Sequence, residues 1–184
     1  MSMTKTTLAE RDGLPDALRV LLADFPRAGW DGHPHFAGLV AFWLDRHLMF
    51  RQLLDALRSD AEQVLDAGLD PQTHRVRLSR LGGMLVQQLH GHHQIEDHHY
   101  FPVLTRLEPR LARGFDLLDG DHQALDGLLD RFTRRANAAL SATDQVGRLR
   151  SELQTLERLI GRHLEDEEDL IVPVILKHGP HRLG

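Results

Sequence analysis

Histidines and acidic residues are concentrated in the stretch LHGHHQIEDHHYFP, residues 89–102, which holds five of the chain's thirteen histidines. Imidazole nitrogens and carboxylate oxygens bind metals and transfer protons, so a cluster of both marks a place where chemistry can occur. His92 and Glu96 are four positions apart, which places them one turn apart on the same face of a helix. The two side chains can therefore reach a common centre.

The His-x-x-x-Glu pair recurs 71 positions later, in HLEDEEDLIVPVILKHGP. When that segment is aligned with HHQIEDHHYFPVLTRLEP, His163 pairs with His92 and Glu167 with Glu96. The other four histidines of the first stretch have no histidine counterpart. The repeat therefore distinguishes two His-Glu pairs from the surrounding polar residues.

Four segments place apolar residues at steps of three and four, the pattern of helices that pack around a common core. His47 lies on the apolar face of the first segment and His122 on that of the third. Short turns containing Pro, Gly, Ser or Asp separate the segments, and no strand-like alternation occurs. The sequence predicts an all-α fold, an up-down-up-down four-helix bundle. We expect an N-terminal arm with one short helix at 1–34, the bundle at 35–178 and a C-terminal tail at 179–184.

The turns place the candidate ligands at one level of this bundle. Residues equidistant from the turn of a helical hairpin lie side by side. The midpoints of three ligand pairs fall inside predicted turns, those of His47 with His92, Glu96 with His122, and His122 with His163. A buried carboxylate without compensation is strongly unfavourable, so this convergence predicts a bound cation.

Composition narrows the class of protein. The net charge of -5, with acids and bases interspersed, gives no polycationic surface for nucleic acid. No apolar run approaches the roughly 20 residues of a membrane-spanning helix, and the N-terminus lacks the apolar segment of a secretory signal. We therefore expect a cytoplasmic protein without a nucleic-acid or membrane partner. The absence of cysteine leaves His, Asp and Glu as ligands, a set that favours iron, manganese or zinc.

The order of these motifs, a lone His, His-x-x-x-Glu, a lone His and a second His-x-x-x-Glu, resembles the hemerythrin-like, HHE cation-binding family over about residues 35–177. The resemblance implies a four-helix bundle around two non-haem iron ions joined by an oxo or hydroxo bridge, with zinc or manganese as the alternative metals. Carried over by position, the metal ligands are His47 and His92 on one iron, His122 and His163 on the other, and Glu96 and Glu167 as bridges between them.

In this arrangement each iron has five ligands: two imidazoles, two carboxylate oxygens and the oxo or hydroxo bridge. An octahedral ion then keeps one position open for dioxygen, nitric oxide or peroxide. We therefore expect the chain to bind or sense such a small molecule. Two alternatives stay open: a di-iron enzyme with peroxidase-like or nitric-oxide-handling activity, and a bundle with a structural metal such as zinc.

Three further residues lie close to the predicted site. Oxygen-carrying members of the family have an additional histidine one turn after the lone histidine of the third helix, where this chain has Asp126. Some relatives place a ligand directly after the second-helix histidine, which is His93 here. The sequence leaves open whether His93 or Asp126 is an additional ligand. His99 continues the face of Glu96, and we expect it at the edge of the core.

Overall fold

The computed structural model describes residues 7–183, and the regular secondary structure of this part is helical, without a β-strand. The expectation of an all-α fold is confirmed. In chain order the helices are α1 (Val20–Asp24), α2 (Leu39–Leu65), α3 (Pro71–Ile95), α4 (Phe101–Leu107), α5 (Ala112–Ser141) and α6 (Val146–His178). Across residues 7–183, none of them is both long and apolar enough to cross a membrane.

The turn between α2 and α3 shows how local sequence ends one helix and starts the next. Ala67 adopts a left-handed conformation with φ of 56°, and the Gly68 N–H donates to the carbonyl of Gln63 at 2.7 Å, which closes the end of α2. Pro71, at the first helical position, needs no hydrogen-bond donor there. The Asp70 carboxylate accepts from the Thr73 N–H at 2.8 Å and caps α3.

The described residues form two compact units, and each is considered by itself. The first unit comprises the chain up to His47, His93–His122, and the chain from Arg162 onward. The second comprises Leu48–His92 and Gln123–Gly161.

The second unit is held by apolar packing and by ion pairs between helices. Gly82 of α3 lies so close to the Phe132 ring of α5 that a Cβ atom at this glycine would be 3.3 Å from the ring. Arg77 pairs with Asp60 through bonds of 2.6 and 2.9 Å.

In the first unit the N-terminal arm, residues 7–34, covers the outer face of α6. Every residue of α6 from Asp166 to Leu176 is buried, whereas a helix at a protein surface buries only one stripe. Leu14, Leu18, Leu21 and Trp30 of the arm belong to the same apolar core as this part of α6. The short helix expected in the arm is present as α1, after a 3-10 turn at Asp16–Leu18.

Between α3 and α4 the chain forms a π-helical turn, Glu96–Tyr100. This wider turn shifts the following core positions, so that Phe101 and Leu104 are buried. His99, expected at the edge of the core, is exposed instead. Pro102 does not impose the turn by itself, because its counterpart Pro173 lies inside α6.

Glu108 joins the end of α4 to the end of α6. Its carboxylate accepts hydrogen bonds from Lys177, from His178 at 2.8 Å and from Arg110 at 2.9 Å. Burial alone would raise the pKa of Glu108, but these donors lower it from 4.5 to about 2.

We expect Glu108→Gln to destabilise the protein at pH 7. The full pKa shift corresponds to about 3 kcal/mol, which solvent around the exposed Lys177 and Arg110 reduces to about 2 kcal/mol. Because the native pKa is depressed, the stabilisation is complete above pH 4.5 and is lost as the pH falls towards 2. The free energy of unfolding in urea, measured from pH 7 to pH 2, should therefore show a gap between wild type and variant that closes in acid.

Glu62→Gln is the matched control, because Glu62 forms a more exposed pair with Arg58. Its effect should stay within about 0.5 kcal/mol at every pH. Parallel curves for wild type and Glu108→Gln would show that the Glu108 cluster does not stabilise the fold.

Candidate metal centre

Five of the six predicted ligands are buried in the first unit. They come from four different stretches of helix and are His47 of α2, Glu96 of the π-helical turn, His122 of α5, and His163 and Glu167 of α6, each no more than 3% exposed. Fully buried carboxylates and imidazoles need a partner that compensates their lost hydration. Their convergence agrees with the predicted site, while their role as metal ligands stays a prediction.

One group of candidate ligands consists of three histidines. His93, His122 and His163 each offer a nitrogen, and these nitrogens lie within 4.8 Å of one another. The His93 ring stacks on that of His122 with centroids 3.9 Å apart. The ring of His163 meets that of His122 edge-on at 4.8 Å. Three imidazoles in this arrangement suit a first-row transition metal.

A second group lies around Glu167. Ligand atoms of His47, Glu96 and Glu167 also lie within 4.8 Å of one another. The Oε1 atom of Glu167 is 3.2 Å from His47 Nε2, and its Oε2 atom is 3.2 Å from His163 Nε2. The Glu167 carboxylate therefore connects the two groups, with Oε1 towards His47 of its own group and Oε2 towards His163 of the three-histidine group.

An acid holds the other ring nitrogen of three of these histidines. His47 Nδ1 is 2.9 Å from Glu168 Oε1, and His122 Nδ1 is 2.7 Å from Asp97 Oδ1. His163 Nδ1 is 3.3 Å from Asp121. An Nδ1–H that donates to a carboxylate fixes the tautomer and leaves the Nε2 lone pair for a metal.

The orientation of these acids agrees with their helical positions. Asp97 and Glu168 each follow a predicted bridging glutamate, so they point to the side of the site rather than into it. Both acids are partners of nearby histidines, Asp97 of His122 and Glu168 of His47.

Without a metal, the carboxylates of the site hold protons on its histidines. Burial lowers the pKa of His163, but hydrogen bonds with Asp121 and Glu167 outweigh it and raise the pKa to about 9. Burial and the neighbouring Glu167 together raise the pKa of Glu96 well above its ordinary value. A cation that binds here replaces protons, so its affinity falls as the pH is lowered.

The donor set fits a divalent or trivalent metal. His122 Nε2 is buried and forms no hydrogen bond with any residue in 7–183, and the buried His163 Nε2 has only the carboxylate of Glu167, at 3.2 Å, as a polar contact among these residues. The nearest carboxylate oxygen to His122 Nε2 belongs to Glu96, at 3.6 Å. A cation between such nitrogens and carboxylates would satisfy both, and the lack of sulfur favours iron, manganese or zinc.

The other two candidates, His92 and Asp126, belong to the second unit. The ring of His92, the sixth predicted ligand, is 5.3 Å from that of Phe50. Asp126 is half-exposed and lies 3.4 Å from the imidazole of His90. Of the two residues that the sequence left open as additional ligands, the structure favours His93, which is buried among the histidines.

Sequence reasoning missed two polar contacts of the site. Asp121 has no signal except its place directly before His122, yet its carboxylate contacts His163. Trp43 matched the apolar pattern of α2, but its indole Nε1 donates a 2.6 Å hydrogen bond to Glu167 Oε1. Both groups restrict the orientation of a proposed ligand.

A helical fold with buried histidines and glutamates in metal-binding proximity defines a class of cation-binding helical domains. The model of the Hemerythrin HHE cation binding domain matches residues 38–175 of this chain. Since the match covers more than half of the chain, the protein belongs to the hemerythrin HHE family, which confirms the resemblance seen in the sequence. No curated protein and no solved structure matches the chain.

His93→Ala tests whether the buried imidazole is a ligand. We expect the variant to bind its metal at least about tenfold more weakly, because one of three clustered imidazoles is lost. Metal affinity is measured by competition with a coloured chelator. Asp126→Ala is the control and should bind as wild type does, whereas weaker binding by Asp126→Ala than by His93→Ala would contradict this assignment.

Proposed function

We propose that this chain is a non-haem di-iron protein that binds or senses dioxygen, nitric oxide or peroxide. The observation that carries the proposal is the Glu167 carboxylate, whose two oxygens lie 3.2 Å from imidazole nitrogens on either side. A carboxylate between two sets of nitrogen donors matches what a pair of metal ions requires.

The proposed ligand set extends the sequence assignment by one residue. One iron would be held by His47 and His92, the other by His93, His122 and His163, with Glu96 and Glu167 as bridges between them. The inclusion of His92 follows from the repeat, in which it occupies the place of His163. The proposal also includes the antiparallel, up-down-up-down order of α2, α3, α5 and α6. The cytoplasmic location expected from the sequence stays a prediction.

The residues around the site would orient and neutralise these ligands. The Trp43 indole fixes the Glu167 carboxylate by donating to Oε1. Asp121 and Glu168 accept hydrogen bonds from the Nδ1 atoms of His163 and His47. Each imidazole thereby becomes a better electron-pair donor to a metal through Nε2. The buried apolar residues that surround the site exclude water and strengthen these contacts. Two irons, when bound, would supply one-electron chemistry and a position for a small molecule.

Metal analysis combined with optical spectra tests the proposal. We expect two irons per chain, a near-ultraviolet charge-transfer absorption in the oxidised protein, and a spectral change when anaerobic, reduced protein meets dioxygen or nitric oxide. Turnover of peroxide with a reductant would favour the enzymatic alternative. A redox-silent metal such as zinc in the purified protein, with no iron bound on reconstitution, would contradict the proposal.

His163→Ala should lower both metal content and stability. The substitution removes one ligand and leaves Asp121 and Glu167 buried without their imidazole, at a cost of about 3 kcal/mol. Metal content is measured by elemental analysis and stability by thermal unfolding with and without iron.

His99→Ala is the matched control, since His99 is exposed and close in sequence to the site. This variant should keep two irons and the unfolding temperature of wild type. If His163→Ala retained two irons at wild-type affinity, His163 would not be a ligand.

A further inference from the structure

Two arginines of the N-terminal arm contact acids that are hydrogen-bonded to proposed histidine ligands. Arg11 is buried, although arginine is seldom buried without partners. It donates from Nη1 to Asp121 Oδ1 at 3.0 Å and makes a second contact through Nη2. Its Nε donates to Asp166 Oδ2 at 2.6 Å. Arg11 therefore contacts the acid that holds His163.

The second arginine repeats this arrangement on another histidine. Arg27 donates from Nη1 to Glu168 Oε2 at 2.8 Å, and the other oxygen of Glu168 contacts His47 Nδ1. Its Nε donates to Asp169 at 2.7 Å. The guanidinium carbon of Arg27 lies 4.8 Å from the centre of the Trp30 ring, so a second residue of the arm holds this side chain in place.

The acids that Arg11 and Arg27 contact are hydrogen-bonded to the two histidines next to Glu167. His47 and His163 are the two imidazoles 3.2 Å from its carboxylate, and each reaches an arm arginine through one acid. His122 instead lies 3.6 Å from Glu96, and its acid, Asp97, has no arginine partner within residues 7–183. The two arginines of the arm therefore lie close to the acids of His163 and His47 and not to the acid of His122.

We propose that Arg11 and Arg27 are positioning residues that set the reduction potential of the metal centre through Asp121 and Glu168. Each arginine offsets the charge of an acid that would otherwise make its imidazole more electron-donating. A positive charge near the metals disfavours their more highly charged oxidised state. The arm therefore keeps the potential higher than the ligands alone would set it. This inference rests on the proposed di-iron function.

Arg11→Gln and Arg27→Gln test it in the iron-loaded full chain. Each variant should keep two irons, and its reduction potential should fall because one positive charge is lost. We expect the oxidised-to-reduced ratio at a fixed potential to rise about tenfold, which corresponds to about 59 mV for a one-electron step. Spectroelectrochemical titration measures the ratio. Arg27→Gln carries the test if Arg11→Gln does not fold, because the Arg27 side chain is 41% exposed.

Arg77→Gln is the matched control, since Arg77 also makes two bonds to one buried carboxylate, Asp60, inside the second unit. Its potential should equal that of wild type. Arg11→Lys keeps the charge and should remain within threefold of the wild-type ratio. The inference is overturned if iron-loaded Arg27→Gln keeps the wild-type potential, if Arg77→Gln shifts as far, or if Arg11→Lys shifts as far as Arg11→Gln. A wild-type chain that binds no iron overturns the proposed function, and this inference with it.

Discussion

The burial of two carboxylates, Glu96 and Glu167, is the constraint on which the rest of the first unit depends. Both are almost completely removed from solvent, and burial together with the neighbouring Glu167 raises the pKa of Glu96. Such a pair is tolerated inside a protein only where positive charge or hydrogen-bond donors surround it. The imidazoles that converge from four stretches of helix supply the first compensation, and the indole of Trp43 supplies a donor. A metal pair would complete it.

Charges alternate in sign outward from this centre. The carboxylates of Glu96 and Glu167 contact imidazoles, the imidazoles contact Asp97, Asp121 and Glu168, and two of these acids contact arginines of the arm. Each group in such a chain fixes the orientation of the one before it. The arm, which the sequence indicates only as a segment that precedes the bundle, therefore contacts the acids that hold the proposed ligands.

The fold class and the burial of five candidate ligands could be predicted because they follow from periodicity. Apolar steps of three and four define helices, and the 71-residue repeat distinguishes the His-Glu pairs. His93 escaped a firm assignment because its counterpart in the repeat is Leu164. The exposure of His99 could not be predicted, since the π-helical turn changes the register and Pro102 does not explain it alone. Arg11 lies 110 positions from Asp121, a separation over which no local pattern operates.

Both tryptophans of the chain lie in the first unit. The indole of Trp43 donates to Glu167, and that of Trp30 donates to the carbonyl of Phe25 at 2.8 Å. The intrinsic fluorescence of this protein therefore reports on the centre and the arm and carries no signal from the second unit. Far-ultraviolet circular dichroism, in contrast, detects the helices of both units. A comparison of the two signals during unfolding can show whether the units melt together or in turn.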